Sequence, residues 1–132
     1  MTSTSLNSST LSYNDIQSIV AEDFDIMDKQ VFGSLNSKVQ LVMSVSQHVI
    51  NAGGKRMRPL ITLLCARMLN DAPSEKAMHL AAITEMLHTA TLVHDDVIDE
   101  SGQRRGKPTA NATWDNATAV LVGDYLIARA FN

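Results

Sequence analysis

The chain has 132 residues, a formal net charge of -3 and 45% hydrophobic residues. It is long enough to bury a core and too short for two domains of ordinary size. Its 11 basic residues sit in local clusters among 14 acidic ones, which leaves no nucleic-acid footprint. No apolar run reaches the ~18–20 residues of a membrane span, and a single cysteine excludes an intrachain disulfide framework.

Residues 1–11 carry neither the basic start nor the apolar centre of a signal peptide and read as a disordered Ser/Thr tail. With the lone cysteine, which suits a reducing compartment, this sets the expected location as cytoplasmic. From residue 12 onward, apolar positions recur every three to four residues and strand signals are nearly absent, so the expected fold is all-α, a helical bundle. A first helix is predicted from Ser12 to Phe32, with Ile16, Ile19, Val20, Phe24, Met27 and Val31 on one face. A second runs from Ser37 to Asn51 and stops at Gly53-Gly54. A third starts near Pro59 and ends near Asn70. Cys65 lies in its apolar run and is expected in the core, as are the seven methionines along the chain. A fourth begins at Ser74, a good N-cap, runs past Asp99 and ends before Gly102. Its stretch from Ala77 to Val93 is apolar on nearly every side, the mark of a central helix. A fifth is predicted from Trp114 to Ala130, with Val120, Leu121, Tyr125, Leu126 and Ile127 on its apolar face.

Chemistry gathers at the end of the fourth helix. Asp95 and Asp99 are four residues apart and share a face, with Asp96 beside them and Thr91 one turn below Asp95. Like charges here repel, and a helix C-terminus favours cations, so folding alone would place Lys or Arg at these positions. A bound hard cation such as Mg²⁺ relieves both conflicts; a solvated acidic helix end explains the acids alone equally well. After Gly102 come Arg104, Arg105 and Lys107, suited to phosphate oxygens. Upstream, Lys55, Arg56 and Arg58 follow a glycine turn and precede a helix N-terminus, where free N–H groups favour anions. His88 falls in an apolar stretch, where a lone histidine is more often a satisfied core residue. His94 adjoins the acids and reads as a support for them, whereas His48 and His79 belong to no constellation.

The motifs GGKRMRP, HDDVIDES and RRGKPT, in this order and spacing, closely resemble the trans-isoprenyl diphosphate synthases, long-chain prenyltransferases. The likeness runs from about Val39 to the end and implies the N-terminal part of an isoprenoid synthase bundle over residues 12–132. It implies that Asp95, Asp96 and Asp99 hold Mg²⁺ against the diphosphate of an allylic substrate. Lys55, Arg58, His88 and Arg105 would hold isopentenyl diphosphate, and Arg104 the allylic diphosphate. It also implies a homodimer. Bulky residues at Ala90 and Thr91 would stop chain growth early; both residues are small, which points to a long product, octaprenyl by expectation. The sequence departs from the family pattern at Asp115, where a glycine is expected, so the fifth helix is expected to start slightly displaced. It also departs in length, since a second Asp-rich motif is missing. The chain is therefore expected to be an inactive fragment of a longer enzyme. A non-catalytic partner subunit, a terpene cyclase and a di-iron bundle built on Glu85 and His88 are the rival readings. The intact Arg and Asp motifs speak against the first, the GGKRMRP cluster against the second, and the lack of another Glu-x-x-His pair against the third.

Overall fold

The structure is a computed structural model that describes residues 10–70 and 72–132. The tail expected over residues 1–11 lies outside the described residues apart from Thr10 and Leu11. The helices are α1 (Tyr13–Ile19), α2 (Ala21–Ser34), α3 (Gln40–Asn51), α4 (Met57–Leu69), α5 (Glu75–Ile98), α6 (Ala110–Thr113) and α7 (Asn116–Ala130). A hairpin of two-residue strands, β1 (Gln103–Arg104) and β2 (Lys107–Pro108), joins α5 to α6. The expected all-α bundle is the fold observed.

The longest helix, α5, is the axis, and α2, α3, α4, α6 and α7 all contact it. Ser74 caps it by accepting a hydrogen bond from the Ala77 amide at 3.2 Å. Its buried positions, among them Met78, Ala81, Ala82, Met86, Ala90 and Val93, share one broad arc of about 180°, wide enough to meet several helices, while Leu80, Thr91, Asp95 and Asp99 on the other side are exposed. Its main partner is α7, which meets it through a mostly small-residue seam: Ala119, Val122, Gly123, Leu126 and Ala130 are buried, whereas Val120 and Leu121 face outward. Small residues let two helix axes approach closely. That reverses the expected apolar face of this helix at Val120 and Leu121.

Several boundaries differ from expectation for identifiable reasons. The first predicted helix breaks at Val20 (φ -116°, ψ 16°), which caps α1 and starts α2. Ile19 is then 52% exposed, while Val20, Met27 and Val31 are buried. Cys65 is exposed, not in the core, because the buried stripe of α4 runs through Pro59, Leu60 and Leu63 and a residue two places on points about 200° away. Met68 is exposed as well. Asp115 does not disturb α7 but starts it: its carboxylate accepts from the Thr118 amide at 2.6 Å, a bond that lowers its pKa. The fourth predicted helix ends at Ile98, before Gly102. Glu100 takes a left-handed conformation (φ 53°), and the Ser101 and Glu100 amides reach back to the carbonyls of Asp96 and Val97 at 2.9 and 3.3 Å. This is a Schellman ending with glutamate where glycine is usual. Among the described residues, no helix is long and apolar enough to cross a membrane.

Candidate active site

Three segments converge on one pocket beside the end of α5. The first is the turn between α3 and α4. Gly53 (φ 80°) and Gly54 (φ 147°) leave α3 in conformations that a side chain would resist. Arg56 follows at φ 52° and opens α4 without any side-chain cap, so the first amides of that helix stay available to an anion. Arg56 itself is committed to the scaffold. Its Nη1 donates to Asp28 Oδ2 at 3.0 Å, Glu85 lies 3.9 Å from its Nε, and its guanidinium stands 5.3 Å from the centre of the Phe24 ring. Glu85 is thereby engaged by a cation, which removes it from any di-iron set with His88.

The second segment is the hairpin. Gln103 pairs with Pro108 and Arg104 with Lys107. The apex residues Arg105 (φ 52°) and Gly106 (φ 75°) both have positive φ, as a two-residue type I′ turn requires. Arg105 Nη1 donates to the Gly53 carbonyl at 2.5 Å, and a Cβ on Gly54 would come within 2.7 Å of that guanidinium. The glycine is needed for the arginine to lie down here.

The third segment is the end of α5, where the acids divide. Asp96 is buried and accepts both Arg104 Nη2 at 2.7 Å and Arg104 Nε at 3.0 Å. This contact, reinforced by the fields of Asp95 and Asp99, raises the pKa of Arg104. Asp95 and Asp99, on the neighbouring face of the helix, are exposed, in line with the exposed Thr91. Asp96 therefore aims Arg104, while Asp95 and Asp99 carry uncommitted carboxylates.

A pocket of about 130 Å³ lies between the segments, and Lys55, Arg58, His88, Arg104, Arg105 and Asp96 all line it. Residues 55, 88 and 105 come from three separate parts of the chain, so their meeting is a product of the fold. Burial, and next to it the Arg58 charge, lowers the pKa of His88 from its ordinary value. Ala90 and Thr91 separate: Ala90 is fully buried in the core, and only Thr91 faces out beside the acids.

Sequence reasoning missed two residues of this region. His48, on α3, lines the pocket, approaches the Pro108 carbonyl at 3.0 Å and meets the Trp114 ring edge-on at 5.1 Å. Tyr13 donates its hydroxyl to the Lys55 carbonyl at 2.6 Å, which holds the glycine turn from α1. Both contacts span about 40 residues or more of sequence, and no local pattern announces them. His94, expected to support the acids, is instead turned to α7, where it bridges the two helices. Its Nε2 lies 3.0 Å from the Val120 carbonyl and 3.4 Å from Asp124 Oδ1, in the notch left by Gly123.

The fold thus sets a cationic pocket beside an acidic helix end. The chain belongs to the polyprenyl synthetase family, whose model matches residues 39–132. It is 64% identical over 118 residues to an all-trans-nonaprenyl-diphosphate synthase (geranyl-diphosphate specific) of Rhodobacter capsulatus, covering 89% of this chain and 36% of that protein. It is 45% identical over 116 residues to the octaprenyl diphosphate synthase of Escherichia coli K12, covering 88% and 36%. Among solved structures it resembles a polyprenyl synthase from Caulobacter crescentus complexed with calcium and isoprenyl diphosphate. That match has a TM-score of 0.85 and 42% identity, over 91% of this chain and 36% of that one. The chain thus spans little more than a third of the length of these relatives.

Proposed function

We propose that the intact protein is a Mg²⁺-dependent trans-prenyltransferase that condenses isopentenyl diphosphate with an allylic diphosphate to make a long-chain polyprenyl diphosphate. The observation that carries this reading is the meeting of Lys55, Arg58, His88, Arg104 and Arg105 around one pocket, with Asp95 and Asp99 near enough to Arg104 to raise its pKa. The named relatives make octaprenyl and nonaprenyl diphosphates, so the product is read as long, without fixing it at octaprenyl. The reading extends to a cytoplasmic enzyme acting as a homodimer, for which the exposed Leu121, Ile98 and Phe131 offer apolar surface.

The donor set fits Mg²⁺. Asp95 and Asp99 are hard oxygen donors one turn apart, and among the described residues no third His, Cys, Asp or Glu completes a cluster with them. That suits an ion held by one or two carboxylates with substrate phosphate and water in its other positions. Asp95 and Asp99 would hold the ion, which would supply positive charge to offset the diphosphate leaving group as the allylic C–O bond ionises. The chain's own residues do the rest. Lys55, Arg58 and Arg105 hold the isopentenyl diphosphate as fixed positive charge, and His88 adds an N–H donor. Asp96 keeps the Arg104 fork directed toward the allylic diphosphate. The apolar flank of α5 would exclude water, which would quench the cation, while the double bond of isopentenyl diphosphate attacks it; loss of a proton to the departing diphosphate then gives the allylic product five carbons longer.

Substrate separation tests the reading. Arg58→Ala and Lys55→Ala should raise the KM for isopentenyl diphosphate by roughly tenfold or more and barely move that for the allylic substrate, since each removes a charge-assisted phosphate contact. Steady-state kinetics with each substrate varied in turn would show this. Affinity lost for the allylic substrate alone would reverse the two pockets.

Product length gives a second test. Thr91 faces the side on which Asp95 would hold the reacting end, so Thr91→Phe should shorten the product distribution while the first condensation survives. Ala90→Phe should also shorten it, but the ring must displace core atoms, a strain of about 1–3 kcal/mol that lowers stability as well. Chromatography of the products reads both. An unchanged length from an active Thr91→Phe enzyme would place the growing chain elsewhere.

A further inference from the structure

We propose that His48 is a positioning residue for diphosphate binding, the tie that keeps the hairpin over the glycine turn when its arginine turns to the ligand. The proposal rests on the reading of the pocket as a diphosphate site. Three hydrogen bonds join the hairpin to the end of α3 and the turn after it. Arg105 Nη1 donates to the Gly53 carbonyl at 2.5 Å, Lys107 Nζ to the Asn51 carbonyl at 3.4 Å, and the third pairs His48 Nε2 with the Pro108 carbonyl at 3.0 Å.

The first two have a common weakness. They use cations to cover carbonyls at a helix C-terminus, where the backbone leaves acceptors unpaired and the dipole is negative. A diphosphate in the pocket competes for those same cations, because charged oxygens are stronger acceptors than a backbone carbonyl. The His48 bond runs the other way, from α3 to the hairpin, and uses no arginine or lysine that an anion would recruit. The Pro108 carbonyl can only accept, so Nε2 carries the hydrogen. The edge of Trp114, which closes α6, fixes the ring plane at 83° to its own.

Inorganic pyrophosphate titrated calorimetrically into the protein provides the test, with circular dichroism confirming equal helix content in each variant. His48→Ala should weaken pyrophosphate binding by about tenfold, the range of one well-placed hydrogen bond. His48→Gln, whose side-chain amide can donate at similar reach, should recover most of that loss. In an Arg105→Ala background the His48→Ala effect should shrink, since the residue acts through the hairpin that Arg105 rides on. The ¹⁵N shifts of the imidazole should report hydrogen on Nε2. Binding that is unchanged in His48→Ala, or lost equally in His48→Ala and His48→Gln, would overturn the positioning role while leaving the diphosphate site intact. Failure of the wild-type protein to bind pyrophosphate, or binding indifferent to Arg58→Ala, would take down the site and the proposal with it.

Discussion

Asp95→Ala and Asp99→Ala, each placed in the full-length protein, are expected to cut the proposed turnover by about a hundredfold or more, equivalent to at least roughly 2.7 kcal/mol of transition-state stabilisation. The two carboxylates lie one turn apart, are exposed, and are not engaged by Arg104, which is bound to Asp96 instead. Each deletion should therefore remove a proposed metal ligand without disturbing a buried contact, and thermal stability should hardly change. Raising the Mg²⁺ concentration should restore part of the loss. Asp96→Ala should behave differently. It strips a buried acceptor from Arg104, so it should lower stability and misdirect the arginine together. Rate measurements across a Mg²⁺ titration, paired with thermal melts, distinguish the two patterns. Full activity of both exposed-acid variants at ordinary Mg²⁺ would end the assignment of this face to the metal.

The second large effect is expected at Gly123, where only hydrogen fits. A Cβ there would stand 2.2 Å from His94 Nε2 and 2.5 Å from Cδ2, far inside contact distance. Either α7 shifts from α5 or the imidazole leaves its notch and abandons the Val120 carbonyl. Gly123→Ala should therefore destabilise the protein by about 1–3 kcal/mol, although alanine is the better helix former by about 1 kcal/mol. His94→Ala in the same chain should relieve the clash, making the pair strongly non-additive. Denaturant unfolding of the two single variants and the double variant measures this. A Gly123→Ala protein as stable as wild type would mean the helices do not meet as described.

What could be seen in the sequence follows from the range of the forces involved. The central position of α5 was legible because a helix surrounded by others must be apolar nearly all round. The glycine turn was legible because Gly53 has no ordinary substitute at φ 80°. The hairpin was not, since strands of two residues show no alternation and Arg105 rather than glycine or asparagine takes the first positive-φ place. The break at Val20 carries no glycine or proline to mark it. The basic cluster was read as a unit, yet Arg56 serves the scaffold through Asp28 on α2. The three acids were likewise read together, and their division between Arg104 and the open face depends on where the hairpin docks. His48 and Tyr13 act through contacts set wholly by tertiary structure.

Three residues other than glycine hold positive φ in this chain, Arg56, Glu100 and Arg105, among the described residues, and all three flank the site. A left-handed L-residue costs roughly 1–2 kcal/mol against glycine. Arg56 and Arg105 make contacts that compensate, whereas the Glu100 side chain is exposed at the helix ending. Heat resistance could therefore be raised at Glu100 by glycine without touching the pocket. The same change at Arg105 would relax the backbone and discard the binding group. Selection for thermal tolerance in this family would then have a cheap path open at the end of α5 and a closed one a few residues later, at the hairpin apex.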